Sequence, residues 1–220
     1  MSVDLRLYAL IDPHRANGRD LGSLTRLVAE GGATLVQLRD KTGSTRQLIE
    51  EARAMGAALS GTKVPLLIND RVDVALAAEA DGVHIGWDDI GAADARLLLG
   101  RTAIIGLSIK TLQQAETAPL EHLDYVCIGG VYETASKDNP DPPIGAGGLR
   151  AIASAIRKRA PLLPVGAIAG IDAGNASETI AAGADGVAVI SALSMTSDPK
   201  AAAQHMRAVI DAALTKRGAA

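Results

Sequence analysis

The sequence is poor in aromatic residues and in cysteine. Phe is absent, aromatic residues make up 2% of the chain, and Cys127 is the one cysteine. A hydrophobic core must therefore consist of aliphatic side chains, which suits a barrel filled by branched residues. Scarce aromatics disfavour stacking on single-stranded nucleic acid. One cysteine cannot form an intrachain disulfide, so Cys127 is expected to be a small buried thiol.

Excess charge and long apolar runs are also missing. The net charge of −3 argues against a general nucleic-acid surface. No run approaches the roughly 18 uninterrupted apolar residues of a membrane span, and the first residues carry charges where a signal peptide needs an apolar core. A cytoplasmic protein without membrane or nucleic-acid partners is expected, and the sequence leaves open whether it forms a homo-oligomer.

Apolar, strand-like runs alternate with Ala-rich amphipathic stretches throughout the chain. Strands are predicted near 6–11, 34–38, 65–69, 82–85, 103–106, 124–128, 164–168 and 186–190. Helices are predicted near 20–30, 44–60, 72–79, 92–99, 112–118, 148–159, 174–182 and 199–216. Strict alternation predicts parallel βα units, and a similar phrase recurs at the start of alternate strands, at 32–36, 80–84, 123–126 and 184–188. We therefore expect one α/β domain over 1–220, a TIM (βα)8 barrel. A doubly wound open sheet is the rival, but the first strand lacks the Gly-x-Gly-x-x-Gly turn that would favour it.

Polar residues follow the predicted strands, and in a barrel the carboxyl ends of the strands carry the active site. The candidate site residues there are Gln37, Arg39, Lys41, Asn69, Asp70, Asp89, Ser108, Thr134, Ser136, Lys137, Gly170, Ile190 and Ser191. The long loop 129–147 lies at the same end, and we predict that it is a mobile lid that orders on substrate.

Asp70 and Asp89 follow two successive strands. Two carboxylates that meet at one end of a sheet can hold one divalent cation, and Mg²⁺ typically takes one or two carboxylates plus phosphate oxygens. The alternative is that each acid caps the helix that follows it.

Cations from different strands point to anionic substrates. Arg39 can grip a phosphate bidentately, and Lys41 and Lys137 add point charges. The alternative for Arg39 is a surface ion pair such as one with Asp40. The loops at Gly170 and at Ile190-Ser191 can bind a second phosphate through backbone N–H groups. Two phosphorylated substrates are therefore expected, a diphosphate with metal and a monophosphate without.

Taken together, five motifs resemble those of the thiamine phosphate synthase family. They are Gln37-Leu38-Arg39-Asp40-Lys41, Asn69-Asp70, His84-Ile85-Gly86-x-x-Asp89, Gly106-Leu107-Ser108 and Tyr132-x-Thr134-x-Ser136-Lys137. The resemblance extends from about residue 7 to 207. It implies a TIM barrel transferase that joins 4-amino-2-methyl-5-hydroxymethylpyrimidine diphosphate to 4-methyl-5-(2-phosphoethyl)thiazole, which gives thiamine phosphate and diphosphate by a dissociative mechanism.

The resemblance also implies roles for individual residues. Gln37 contacts the pyrimidine, and Asp70 and Asp89 bind Mg²⁺. The catalytic set that holds the diphosphate is Arg39, Lys41, Ser108 and Lys137, with Asn69 as a further contact. The thiazole phosphate meets Thr134 and Ser136 and the backbone of Gly170, Ile190 and Ser191.

The chain departs from the family pattern at several positions. Trp87 stands where the family usually has Gln, Lys110 where it has His, and Ala169 where it has Gly. Gly130 replaces a Pro, and Ser136 replaces a Thr. None of these changes removes a proposed metal ligand or diphosphate cation.

Three other functions compete with the synthase. A thiazole tautomerase on the same scaffold tends to lack the Gln-Leu-Arg-x-Lys run and the second aspartate, both of which are present here. A non-catalytic barrel that binds thiamine precursors needs no diphosphate activation. A phosphosugar isomerase or epimerase requires a carboxylate or histidine base pair that the sequence does not offer.

Overall fold

The chain folds into a closed barrel of eight parallel strands in sequential order. The computed structural model describes residues 3–134 and 141–219. The strands are β1 (Leu7–Ile11), β2 (Leu35–Leu38), β3 (Leu66–Asn69), β4 (Gly82–Ile85), β5 (Ile104–Ile109), β6 (Tyr125–Ile128), β7 (Val165–Ile168) and β8 (Gly186–Val189). Closure is made by β1 and β8, where Tyr8 lies opposite Ala188. The predicted TIM barrel is confirmed.

Helices follow the strands and cover the outside of the barrel. They are α1 (Leu21–Glu30), α2 (Thr45–Leu59), α3 (Val72–Ala78), α4 (Ala92–Leu99), α5 (Leu112–Thr117), α6 (Gly145–Arg159), α7 (Ala176–Ala181), α8 (Ser191–Ser194) and α9 (Pro199–Gly218). The short helix α8 was not predicted, because four residues are too few to show a helical period. Strand β5 extends to Ile109, three residues beyond the predicted end, so Ser108 lies within the strand.

Several helices begin at a side-chain cap. Asp20 Oδ2 accepts a hydrogen bond from the backbone N of Ser23 at 2.7 Å, and Asp198 Oδ1 accepts one from Ala201 N at 3.0 Å. Such caps satisfy backbone N–H groups that have no partner within the helix. The two caps therefore fix the residues at which α1 and α9 begin.

The core has two layers. The larger layer lies between the strands and the helices and is almost entirely aliphatic. The smaller layer fills the inside of the barrel and contains the two aromatic rings Tyr8 and Tyr125 together with Leu35, Leu67 and Cys127. Cys127 is buried, as predicted.

The described ends of the loop 129–147 are held by backbone hydrogen bonds. Val131 N donates to Ile168 O at 3.2 Å, and Ile144 N donates to Gly130 O at 2.9 Å. The two ends of the loop therefore meet beside the end of β7. Mobility of the loop stays a prediction.

Within the described part of the chain, no helix is both long and apolar enough to cross a membrane.

Candidate active site

The two aspartates of the predicted metal site do not cap the helices that follow them. Arg71 precedes α3 and Gly91 precedes α4, and neither helix start has a side-chain cap bond. The alternative explanation of Asp70 and Asp89 as helix caps is therefore wrong. Both carboxylates remain available for another purpose at the carboxyl ends of β3 and β4.

Asp70 lies in a conformation that few residues with a side chain adopt. Its φ is +61°, and its backbone N donates to His84 O at 2.8 Å. Left-handed backbone at a non-glycine residue is uncommon and concentrates at functional sites, although Asp tolerates it better than most residues. The bond to β4 holds the Asp70 backbone against the neighbouring strand.

Three charged side chains meet at this point. Lys41 Nζ contacts Asp70 Oδ2, which is mostly buried. Burial raises the pKa of the Asp70 carboxyl, the hydrogen bond from Lys41 lowers it, and the neighbouring Asp89 carboxylate raises it again, so the net pKa is above the ordinary value. The two acids therefore lie close enough to interact directly. Two adjacent carboxylates repel each other unless a cation lies between or beside them.

Asp89 is held in place by the loop that carries it. Its Oδ2 accepts a hydrogen bond from Gly86 N at 2.7 Å. In the described residues, no group of three or more His, Cys, Asp or Glu side chains is arranged to hold a metal. A cation at this point would have two protein carboxylates and would complete its shell with water or substrate oxygens, as Mg²⁺ commonly does.

Arg39 is paired with a residue that the sequence reasoning missed. Its Nη1 donates to Asp12 Oδ2 at 2.6 Å, and the Asp12 side chain is only 7% exposed. Arg39 does not pair with Asp40, whose carboxylate instead accepts from the backbone N of Thr42 at 2.8 Å and of Gly43 at 3.0 Å. The alternative of an Arg39–Asp40 pair is therefore wrong. Asp12 directly follows β1 much as Asp70 follows β3, and that position was the available signal.

Inside the barrel, a chain of hydrogen bonds joins two candidate site residues. Gln37 Nε2 donates to Tyr8 Oη, which lies 2.9 Å from Tyr125 Oη. Tyr125 Oη lies 2.8 Å from His84 Nδ1, and His84 Nε2 lies 2.9 Å from Ser108 Oγ. His84 is thus a barrel-interior residue with both ring nitrogens bonded.

Two buried amides at the mouth of the barrel lack partners. Gln37 Oε1 and Asn69 Nδ2 make no hydrogen bond to the described residues, although both side chains are buried. A buried polar atom without a partner is costly, and at a functional site it indicates a place for a ligand atom. Gln37 Oε1 can accept a hydrogen bond and Asn69 Nδ2 can donate one.

Apart from the site around Asp70 and Asp89, a pocket lies beside the ends of β7 and β8. It has a volume of about 550 Å³ and is lined by Thr134, Gly170, Ile190, Ser191 and other residues. Its wall also contains Arg15, Asp172 and Met195, which were not among the predicted site residues. Arg15 belongs to a short turn after β1. At the start of this turn, the backbone N of His14 donates a hydrogen bond to Asp12 Oδ1 at 2.9 Å.

The floor of this pocket has an unusual backbone. Ala169 has φ +94° and Gly170 has φ +64°. A Cβ atom on Gly170 would lie 2.2 Å from Glu133 O, so only glycine fits between the loop after β7 and the loop after β6. Ala169, which replaces the usual family glycine, takes a φ that an L side chain rarely adopts.

The structure leaves part of the predicted site untested. Ser136 and Lys137 lie outside the described residues. Trp87 is 44% exposed in the loop that carries Asp89. Lys110 lies beside Gly129, and its backbone N donates to Gln114 Oε1 at 2.7 Å.

Comparisons with known proteins agree with this geometry. A family model described as "Thiamine monophosphate synthase" matches residues 7–193. A thiamine-phosphate synthase of Agrobacterium fabrum is 53% identical over 98% of this chain and 98% of its own length. One of Chloroflexus aurantiacus is 43% identical over 94% of each chain. The solved thiamine phosphate pyrophosphorylase of Pyrococcus furiosus superposes with a TM-score of 0.83 at 33% identity, covering 96% of this chain and 98% of that one. The chain therefore belongs to the thiamine monophosphate synthase family.

Proposed function

We propose that the chain is a thiamine-phosphate synthase. It would transfer the pyrimidine of 4-amino-2-methyl-5-hydroxymethylpyrimidine diphosphate to the nitrogen of 4-methyl-5-(2-phosphoethyl)thiazole, releasing diphosphate. The family and the full-length relatives support this activity directly. The observation on this chain that carries the proposal is the convergence of Asp70, Asp89 and Lys41, with a separate pocket at the ends of β7 and β8.

The place where Asp70, Asp89 and Lys41 meet is suited to Mg²⁺ and a diphosphate. Asp70 and Asp89 would hold the cation, because they are adjacent carboxylates whose mutual repulsion a divalent ion relieves. When bound, the cation supplies charge neutralisation for the departing diphosphate. Lys41 and Arg39 carry positive charge after the neighbouring strand β2, and Lys137 is proposed to add to them from the loop.

The neutral contacts around the leaving group come from the barrel mouth. Asn69 Nδ2 is a buried donor without a described partner, and Ser108 Oγ lies at the end of the interior chain of hydrogen bonds. Both can donate to diphosphate oxygens. Gln37 Oε1 is a buried acceptor, and the exocyclic amine of the pyrimidine is the substrate group that would donate to it.

The pocket between β7 and β8 is suited to the thiazole phosphate. Backbone N–H groups near Gly170, Ile190 and Ser191 and the hydroxyl of Thr134 can donate to a monophosphate there. Ser136 is proposed as a further hydroxyl contact. The position matches the phosphate site that many barrels form after their last two strands.

These residues support a dissociative reaction. The bond between the pyrimidine methylene carbon and the diphosphate oxygen breaks, and the diphosphate leaves with the bonding electrons. The aminopyrimidine stabilises the resulting cation, and the thiazole nitrogen then attacks that carbon. The protein supplies charge neutralisation for the leaving group and orientation of the two rings, and it needs no nucleophile of its own.

The rival functions receive less support. A thiazole tautomerase or a precursor-binding barrel would not need Asp70, Asp89 and Lys41 gathered at one point. The cytoplasmic location and the oligomeric state remain predictions.

A direct test is to mix the protein with both precursors and Mg²⁺ and to measure thiamine phosphate and diphosphate. We expect the two products in equal amounts, and no turnover after chelation of Mg²⁺. Binding of the precursors without turnover would support the non-catalytic barrel, and isomerisation of a thiazole alone would support the tautomerase.

A further inference from the structure

The buried tyrosine pair inside the barrel has no role in the reaction as described so far. Tyr8 and Tyr125 are each at most 2% exposed, and their rings meet edge to face with centroids 5.9 Å apart. They connect Gln37 on β2 with His84 on β4 and Ser108 on β5. Aromatic side chains are rare in this chain, yet two of them lie inside the barrel, and each has a hydroxyl group that is hydrogen-bonded within the core.

The direction of each hydrogen bond follows from the first one. Gln37 Nε2 is a donor, so the hydroxyl of Tyr8 accepts from it. The Tyr8 hydrogen then goes to Tyr125 Oη, which is the second hydrogen-bond partner of the Tyr8 hydroxyl at 2.9 Å. The hydrogen of Tyr125 is left to bond His84 Nδ1.

The hydrogen bond from Tyr125 also determines which ring nitrogen of His84 carries the proton. If Nδ1 accepts from Tyr125, the neutral ring of His84 carries its hydrogen on Nε2 and donates it to Ser108 Oγ. The hydroxyl hydrogen of Ser108 is then released from the histidine and can point out of the network. Burial raises the pKa of both tyrosines, which keeps each of them a neutral hydroxyl that can transmit this order.

We infer that Tyr8 and Tyr125 are positioning residues that hold His84 in the Nε2–H form and thereby turn the Ser108 hydroxyl into a donor toward the leaving diphosphate. The catalytic consequence rests on the proposed function, whereas the tautomer does not. If this hydrogen bond ran in the opposite direction, Ser108 would donate its hydrogen to His84 Nε2. Its oxygen could then only accept a hydrogen bond from the substrate side, and its lone pairs would repel an anionic leaving group.

Local packing supports a fixed position for the central ring. Tyr125 stacks on His84 with ring centroids 5.5 Å apart and an interplanar angle of 28°. Gly106 on β5 leaves the room for this ring, since a Cβ atom there would lie 2.0 Å from Tyr125 Cζ. The glycine within β5 therefore allows the ring of Tyr125 to lie between His84 and Tyr8.

The first test measures the tautomer by ¹⁵N NMR of the full chain with labelled histidine. We expect His84 Nδ1 to resonate as an unprotonated imidazole nitrogen and Nε2 as a protonated one. Tyr125→Phe should shift the Nδ1 signal, whereas Tyr132→Phe, whose hydroxyl donates to Glu178 on α7 at 3.3 Å, should not. A proton on Nδ1 in the parent protein would overturn the inference whether or not the protein is a synthase.

The second test is a double-mutant cycle that combines Ser108→Ala with Tyr125→Phe and measures kcat and KM for each variant. Removing one preorganised donor to a developing anion lowers kcat by about 10²–10³-fold in known enzymes, so we expect Ser108→Ala near that range. Tyr125→Phe should lower kcat by about tenfold in the parent, with little change in KM, and by less than about twofold when Ser108 is already Ala. Equal losses in both backgrounds would assign Tyr125 a purely structural role.

A third variant separates a folding defect from a lost hydrogen bond. Tyr8→Phe keeps the Tyr125 hydroxyl next to His84, so its effect on kcat should be smaller than that of Tyr125→Phe. If Tyr125→Phe fails to fold, Tyr8→Phe in the same cycle still tests the proposal, because its smaller effect should also vanish when Ser108 is Ala. An undiminished effect of Tyr8→Phe in that background would overturn the proposed link.

Discussion

Asp12 is the residue whose replacement should show how Arg39 is held. Its Oδ2 accepts from Arg39 Nη1 at 2.6 Å, and its Oδ1 accepts from the backbone N of His14 at 2.9 Å. The variant Asp12→Asn keeps an oxygen for His14 and removes the negative charge that faces Arg39. It therefore isolates the ion pair from the turn that Asp12 also supports.

The expected magnitude follows from burial. The side chains of Asp12 and Arg39 are 7% and 17% exposed. A hydrogen bond to a charged group contributes about 1.5–3 kcal/mol, and breaking a fully buried pair by removing one partner costs about 3–5 kcal/mol. Because Arg39 keeps some contact with water, we expect Asp12→Asn to lower the free energy of unfolding by about 2–3 kcal/mol. In a chain of 220 residues this corresponds to a fall in melting temperature of about 4–12 °C.

Calorimetry and urea unfolding measure this effect. A matched control is Asp73→Asn, which breaks the pair of Asp73 and Arg71 at 2.5 Å, where the side chains are 59% and 39% exposed. Surface pairs contribute at most about 1 kcal/mol, so the control should change stability much less. A double-mutant cycle of Asp12→Asn with Arg39→Met should give a coupling energy of about 2 kcal/mol. Loss of less than about 0.5 kcal/mol in Asp12→Asn would refute the claim that this ion pair holds Arg39.

Two further predictions concern a glycine and a partly buried acid. Gly170→Ala should cost more than the roughly 1–2 kcal/mol of left-handed backbone strain, because its Cβ would meet Glu133 O, and it should raise KM for the thiazole phosphate. Gly18 also has a positive φ, +72° against +64° at Gly170, but open space around it, so equal losses of melting temperature in Gly18→Ala and Gly170→Ala would contradict the proposed contact. Burial raises the pKa of the Glu51 carboxyl above its ordinary value of 4.5, so the folded state binds that proton more tightly than the unfolded chain, and stability falls as pH rises through the folded pKa. Glu51→Gln should therefore raise the melting temperature at pH 7 and not at pH 3, and an equal gain at both values would show that charge burial is not the cause.

The sequence predicted most of the fold because the signals it uses are local. Eight apolar runs separated by amphipathic stretches give parallel units, and the ends of the strands follow from where each run stops. The prediction placed the end of β5 at Gly106, since Gly and Ser interrupt the apolar run before Ile109. Helix α8 has four residues and offers no period to read.

The candidate site was predictable where a residue's position along its own strand decides its place. Asp70 and Asp89 come together because successive parallel strands end at the same edge. The partners of Arg39 and His84 were not predictable, because Asp12 and Tyr125 reach them only through the register and closure of the barrel. Tyr8 and Tyr125 are separated by 117 residues, yet their hydroxyls are 2.9 Å apart.

The central claim is that Asp70 and Asp89 together hold Mg²⁺ for a departing diphosphate. The most direct measurement is Mg²⁺-dependent diphosphate release by Asp89→Asn with both precursors present. This variant keeps an oxygen for the backbone N of Gly86 and removes the charge, and Asp88→Asn serves as the control at the exposed neighbouring position.

We predict that Asp89→Asn loses turnover by about 10²-fold or more and needs more Mg²⁺ for half-maximal rate, with unchanged unfolding, whereas Asp88→Asn behaves like the parent protein. Near-normal turnover and Mg²⁺ dependence in Asp89→Asn would contradict the account, because the carboxylate would then serve only the loop around Gly86.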